Sequence, residues 1–247
     1  MTYCLGMRLD AGLIMMADTR TNAGVDNFSS YRKLHALADG PERQIFIAAA
    51  GNLSVSQTVI SLVREGLPAG DELTRTLDGA SSMFRAAQLV GEALHIANTT
   101  IGEALAAIQI GGTATFLVGG RIGKGKPQLF LVYEAGNFIE CQTDVPFLQI
   151  GETKYGRPIL DRVIRYTTPL AEAVKIGFLS FDSCMRSNLG VARPIDMMVM
   201  PDDPRQPIHT RRIETNDAYF NDLSNRWSDL LHDATLAIPD PPFMTPG

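Results

Sequence analysis

The chain has no run of about eighteen or more apolar residues, the length a membrane-spanning helix needs, so no segment reads as crossing a bilayer. It has no basic excess either: 22 Lys and Arg stand against 27 Asp and Glu, a formal charge of -5. A surface for nucleic acid or anionic membrane needs the opposite balance, so neither is expected as a partner. The start lacks the basic residues and unbroken apolar stretch of a secretory leader. Met1-Thr2-Tyr3-Cys4-Leu5-Gly6-Met7-Arg8 instead reaches a charge early and alternates as a strand does, which sets a cytoplasmic expectation. Cysteine is scarce: Cys4, Cys141 and Cys184 are odd in number, lack metal-ligand spacing and sit among apolar neighbours, as buried thiols do. The four histidines, His35, His95, His209 and His232, form no i,i+4 pair, so none is assigned a site. No metal and no cofactor are expected.

What remains is an ordinary globular composition, 45% hydrophobic and 20% charged over 247 residues, long enough for one sizeable core. Strands are predicted over 3–9, 13–17, 32–37 and 45–50, with turns at Asp10-Ala11-Gly12 and Asp39-Gly40-Pro41 and a polar loop over 19–30. Helices follow over 53–65, where Val55, Val59, Ile60 and Val63 repeat at helical spacing, and over 82–106. Strand character returns over 114–118, 128–133, 138–141 and 147–150. Helices over 154–166 and 170–187, strands over 195–200 and 208–213 and a helix over 217–232 complete the chain. Between strands, Arg121-Ile122-Gly123-Lys124-Gly125-Lys126 lacks phosphate-loop spacing and reads as an exposed basic hairpin. Hairpins rather than βαβ crossovers dominate the first half, which disfavours a doubly wound parallel sheet. The fold class expected is α+β, a four-layer αββα sandwich of two antiparallel sheets with helices outside. One domain is read over 1–236, including an extension from about 201, with 237–247 as a mobile Pro-rich tail.

A chain that begins its first core strand at Tyr3 places its own terminus inside the fold. Thr2 is small enough for Met1 to be removed, which leaves a hydroxyl and a free α-amine on one residue. With an unperturbed pKa of roughly 7.7–8.0 that amine is a usable base near neutrality, so nucleophile and base need no His or Cys. A threonine at position 2 is commonplace by itself. Asp18, however, closes the apolar strand that hairpin pairing brings alongside Thr2, and Lys33 stands near the start of the next strand. A lysine held beside that hydroxyl favours deprotonation through its charge. Taken singly, Asp18 is equally a strand-end cap and Lys33 a solvated charge.

Together these residues form a pattern. Thr2, Asp18-Thr19-Arg20, Lys33 and Ala49-Ala50-Gly51 resemble the proteasome β-subunits and their bacterial relatives. Met1-Thr2-Tyr3-Cys4, Asp18-Thr19-Arg20-Thr21-Asn22-Ala23-Gly24-Val25-Asp26 and Ile150-Gly151-Glu152-Thr153-Lys154-Tyr155-Gly156-Arg157-Pro158 look like the Anbu family of bacterial proteasome homologues, over about 1–215. The resemblance implies the αββα sandwich, Thr2 as nucleophile supported by Asp18 and Lys33, and Gly51 as a backbone oxyanion donor, worth about 2.7–4 kcal/mol. It implies a threonine-type peptidase acting on peptide or amide substrates and self-association into a ring or open helical array. An unidentified unfoldase partner is left open. A small-amide hydrolase and a non-proteolytic scaffold with a vestigial site are the competing readings.

Departures qualify it. Proteasome β-subunits carry a serine in a Gly-Ser-Gly turn where this chain has Gly151-Glu152-Thr153. Farther on, they place an aspartate and a serine where the best match is Arg186-Ser187-Asn188-Leu189-Gly190, so Ser187 replaces the aspartate and Gly190 the serine. Arg20, Asn22, Glu152 and Ser187 are carried as candidates for lining the site, with Glu152 able to select basic substrate residues or to pair with Lys154.

Overall fold

The computed structural model describes residues 2–22, 28–68, 74–107 and 111–244, without the side chains of Asn22, Phe28 and 102–107. The chain opens with β1 (Tyr3–Leu9) and β2 (Gly12–Asp18), followed by β3 (Arg20–Asn22), β4 (Phe28–Ser30), β5 (Leu34–Gly40) and β6 (Arg43–Gly51). Next come α1 (Leu53–Glu65), a small ladder of β7 (Leu67–Pro68) with β8 (Thr74–Arg75), and α2 (Met83–Ala107). After these lie β9 (Ala114–Ile122), β10 (Gln128–Val132), β11 (Phe138–Glu140), β12 (Phe147–Gly151), α3 (Arg157–Val163) and α4 (Leu170–Ser187). The last elements are β13 (Ile195–Pro201), β14 (His209–Ile213) and α5 (Ala218–Ala237). Two five-stranded sheets result, ordered β12-β1-β2-β13-β14 and β11-β10-β9-β6-β5, with every neighbouring pair antiparallel. This is a mixed α+β fold.

Strand alternation explains the unbroken apolar runs. In β1 and β2, Tyr3, Leu5, Met7, Leu9, Ile14 and Met16 pack with helical residues such as Leu160, Phe178, Phe181 and Phe220. The intervening Cys4, Leu13, Met15 and Ala17 meet Phe46, Ala48, Leu117 and Leu129 of the other sheet. β6 repeats the arrangement, with Ile45, Ile47 and Ala49 turned to Val55, Val59 and Val90 of α1 and α2. A strand apolar on both faces is one buried on both faces. Each large aliphatic side chain so removed from water contributes about 1.5–3 kcal/mol.

Several boundaries moved for local reasons. The 19–30 loop contains the β3–β4 ladder, paired Arg20 to Ser30 and Thr21 to Ser29, which its polar residues gave no alternation to announce; 23–27 lie outside the described residues. The helix expected over 154–166 is only Arg157–Val163, because Pro158 favours a start just before it and Thr168 Oγ1 accepts the Arg165 amide at 2.9 Å beyond the end. The β9–β10 turn is an exposed basic hairpin at Lys124, Gly125 and Lys126, as expected, but Arg121 at its start is buried and donates to Gln44 Oε1 and the Asp202 carbonyl. α5 runs five residues past its expected end at 232, to Ala237, and the stripe of α5 divides: Phe220 and Leu223 are buried whereas Leu230, Leu231 and Leu236 are exposed. Among the described residues no helix is long and apolar enough to cross a membrane.

Candidate active site

The first described residue lies at the junction of three strands. Pairing of Cys4 with Ala17 carries the hairpin register on to Tyr3 and Asp18, and the Tyr3 amide donates to Asp18 Oδ1 at 2.9 Å. On the other side Tyr3 pairs with Gly151, and the Thr2 carbonyl accepts the Glu152 amide at 2.6 Å. Gly151 has φ +82, and a Cβ there would lie 2.0 Å from the Thr2 carbonyl oxygen, so only glycine lets Thr2 close against this strand. Thr2 itself is 9% exposed.

Asp18 and Lys33 form a buried ion pair, Nζ to Oδ1 2.8 Å, with side chains 0% and 6% exposed. Lys33 Nζ also donates to the Arg20 carbonyl, and the Arg20 amide donates to Asp18 Oδ2 at 3.1 Å. Burial raises the Asp18 carboxyl above its ordinary value, while the Lys33 ammonium and the amides of Tyr3 and Ala192 pull it back down. Lys33 is no solvated charge. A buried pair of this kind adds little net stability, since desolvation offsets attraction.

Thr2, Thr21, Lys33, Ala49 and Gly51 line one cavity of about 370 Å³, whose remaining wall is Arg32, His35 and one face of α1, Leu53, Ser56, Gln57, Ile60, Ser61 and Arg64. The i, i+3, i+4, i+7, i+8, i+11 spacing of that face is what a straight helix presents to one side. Asn52 starts α1 as its N-cap, accepting the Val55 amide at 3.3 Å. Gly51 ends β6 at φ +113, where a Cβ would collide with the Thr113 carbonyl.

Of the residues singled out in the sequence, Thr2, Asp18, Lys33 and Gly51 are thus brought together, Asp18 through its bond to Lys33. The guanidinium of Arg20 turns away to the Leu189 carbonyl at 2.8 Å, and only its backbone serves the ion pair. Asn22 pairs with Phe28 through the backbone; its side chain lies outside the described residues. Glu152 is buried beside Thr2, yet its carboxylate accepts from the Lys154 amide, not the Lys154 ammonium, and from Asn188 Nδ2 at 2.8 Å. Ser187 is exposed at the end of α4 and does not line the cavity; Asn188, one residue on, reaches Glu152 instead. A register shift of one residue in Arg186-Ser187-Asn188-Leu189-Gly190 would have found it.

Several cavity residues escaped the sequence reading, His35, Thr21 and Arg64 among them. His35 was assigned no site but is half-buried in the wall, with burial lowering its imidazole pKa and the Arg32 carbonyl bond opposing this. Thr21 places a buried Oγ1 there with no hydrogen-bond partner among the described residues. Arg64 sits on the polar face of a helix legible only as amphipathic. Burial pushes the Cys184 thiol up to about 12 and the Cys4 thiol well above its ordinary range, so neither is a thiolate nucleophile. Among the described residues no group of His, Cys, Asp and Glu could hold a metal ion.

No family model and no curated protein matches the sequence. Solved structures do. The Anbu (Gly-1) mutant from Hyphomicrobium sp. strain MC1 is 44% identical over 97% of this chain and 99% of its own, with a TM-score of 0.87. Anbu (ancestral beta-subunit) from Yersinia bercovieri is 37% identical over 100% of both chains, TM-score 0.87. The helical assembly of the Anbu complex from Pseudomonas aeruginosa is 38% identical over 98% of both chains, TM-score 0.88.

Proposed function

The chain belongs to the Anbu family of proteasome β-subunit relatives, and we propose that it is a cytoplasmic N-terminal-nucleophile threonine peptidase subunit that works as a homo-oligomer. The reading takes the two sheets and their outer helices as one four-layer αββα domain over 1–236. The observation that carries it is the Lys33–Asp18 ion pair buried against the cavity that holds Thr2. A pair that contributes little to stability is retained there for its field at the hydroxyl.

Once Met1 is removed, Thr2 Oγ1 attacks the amide carbonyl carbon and its proton passes to the Thr2 α-amine. The Lys33 charge favours the alkoxide, and the Gly51 N–H donates to the oxyanion. The C–N bond breaks as the ammonium returns the proton to the leaving amine, which leaves an ester on Thr2. Water, activated by the same amine, cleaves that ester and releases the acid.

Intact mass measured with and without a peptide-aldehyde or β-lactone electrophile tests this. The expected result is loss of Met1 and one adduct mapping to Thr2. Unreacted protein that has lost Met1 would favour a scaffold with a vestigial site, a reading the Asn188–Glu152 closure supports, since both side chains are spent on each other and Gly190 offers no hydroxyl. A small-amide substrate remains the other enzymatic reading; hydrolysis of simple amides but not peptides would select it.

Assembly rests on the Pseudomonas aeruginosa relative's helical assembly and on α5, whose second half leaves Leu230 at 61%, Leu236 at 72% and, beyond it, Ile238 at 69% exposure. An isolated monomer rarely leaves such a stripe uncovered. A chain cut after Asp229 keeps β14, Phe220 and Leu223, and light scattering is expected to give it a lower mass per particle than the full chain. Equal masses would remove α5 from the interface, and a monomeric full chain at micromolar concentration would remove the assembly.

A further inference from the structure

The cavity beside Thr2 has an uneven charge. Arg32, Lys33 and Arg64 line it, beside a His35 whose burial disfavours the charged imidazole, and among its described lining residues there is no carboxylate. These cations are not equally committed. Lys33 is held by Asp18 at 2.8 Å. Arg32 lies 3.6 Å from Asp196, a carboxylate it shares with Arg212, also at 3.6 Å. The guanidinium of Arg64 donates to the Ala36 carbonyl at 3.3 Å and has no acidic partner among the described residues. Between Thr2 and Arg64 the same face of α1 supplies Gln57 and Ser61, Ser56 already donating to the Asn52 carbonyl at 2.8 Å, and the positive end of the α1 dipole lies at Leu53, next to Gly51.

From this we infer that the cavity selects substrates carrying a carboxylate side chain on the acyl side of the scissile amide, an inference that rests on Thr2 being the nucleophile. The acyl group is the part of the substrate that becomes bonded to Thr2, so its side chain is the one that a cavity contiguous with Thr2 receives. A carboxylate entering there meets the uncommitted Arg64 guanidinium, the half-committed Arg32 and hydroxyl and amide donors on α1. An ammonium would meet like charge, with no carboxylate among the described lining residues to neutralise it. An aliphatic side chain would cover the polar face of α1 without replacing its water. Selectivity is the difference between these cases, and the repulsion of a basic side chain contributes as much to it as the attraction of an acidic one. Glu152, buried beside Thr2, does not oppose this: it is absent from the lining and its carboxylate already accepts from the Lys154 amide and Asn188 Nδ2.

The test separates binding from chemistry. N-acetylated tripeptide amides ending in Glu, Leu or Lys are titrated calorimetrically into the Thr2→Ala protein, and the matching fluorogenic amides are offered to the unaltered chain. The Glu peptide is expected to bind about tenfold more tightly than the Lys peptide, the fold-change of one charge-assisted hydrogen bond. Arg64→Glu, a change at an exposed position that leaves the buried face of α1 intact, is expected to reverse the order, and added salt to compress it. Equal binding of the three peptides, no detectable binding of the Glu peptide, or an order unmoved by Arg64→Glu overturns the inference. Charge-selective binding without turnover leaves the selectivity standing and overturns Thr2 as nucleophile; turnover indifferent to charge does the reverse.

Discussion

Thr2→Ala is expected to reduce amide hydrolysis on the order of 10⁶-fold, the size of loss seen when a hydrolase gives up its nucleophile, and so to below detection in most assays. The fold should not notice. Thr2 is held through its carbonyl, which takes the Glu152 amide at 2.6 Å, and alanine keeps that bond and the strand approach that Gly151 permits. The substitution removes one hydroxyl and one methyl from a largely buried side chain, a change of about 1 kcal/mol or less. Alanine is also small enough for Met1 to be removed, so the variant isolates the hydroxyl from processing. Peptide turnover and thermal unfolding, measured together on both proteins, check this. Undiminished turnover in the variant would move the nucleophile elsewhere, and a large drop in melting temperature would make Thr2 structural.

The parts of this site that were legible in the sequence are those that sit on regular elements. Asp18 could be placed beside the terminus because a tight turn at Asp10-Ala11 fixes the β1–β2 register, and a period-2 ladder leaves no freedom once the register is set. Gly51 entered through the family resemblance, and the structure puts it at the end of β6, just ahead of the helical repeat of α1. The failures lie where long-range contact decides. Ser187 and Asn188 are adjacent at the end of α4, and which one turns to Glu152 depends on the non-helical backbone of Asn188, φ -143, which no spacing rule reports. His35 and Arg64 are ordinary residues on a strand and a helix, and become cavity walls only because α1 packs across β5 and β6. Two antiparallel sheets could be read from hairpin dominance. The β3–β4 ladder could not, being polar and tied down by Thr19, whose hydroxyl donates to the Pro194 carbonyl at 2.9 Å and accepts from Ser30 at 3.0 Å.

Lys33→Met should unfold the protein more readily and silence it at once, for the same reason. Methionine keeps the length of the stem but removes the ammonium, leaving the Asp18 carboxylate with no counter-charge and the Arg20 carbonyl without a donor. Breaking one side of a buried pair costs about 3–5 kcal/mol, roughly a 10 °C fall in melting temperature for a chain of this size. The loss depends on pH with a definite sign. Burial already raises the folded-state Asp18 carboxyl above 3.8, so its contribution is fully present below the unfolded value and is lost as pH climbs through the folded one. Without Lys33 the largest influence holding that value down is gone, and the carboxyl rises further. The stability gap between Lys33→Met and the unaltered protein is therefore expected to be widest at alkaline pH and to narrow as pH falls through the raised folded-state value of Asp18, where the carboxyl takes up a proton and no longer needs a partner. Lys33→Met with Asp18→Asn should recover much of the stability at pH 8 but none of the activity, because the field at Thr2 is still missing. Turnover should collapse in both variants with little change in KM, as for a residue that acts on the developing charge. A gap that widens toward acid would show that Asp18 is not the group left unpaired, and an unchanged kcat with a raised KM would make Lys33 a substrate contact.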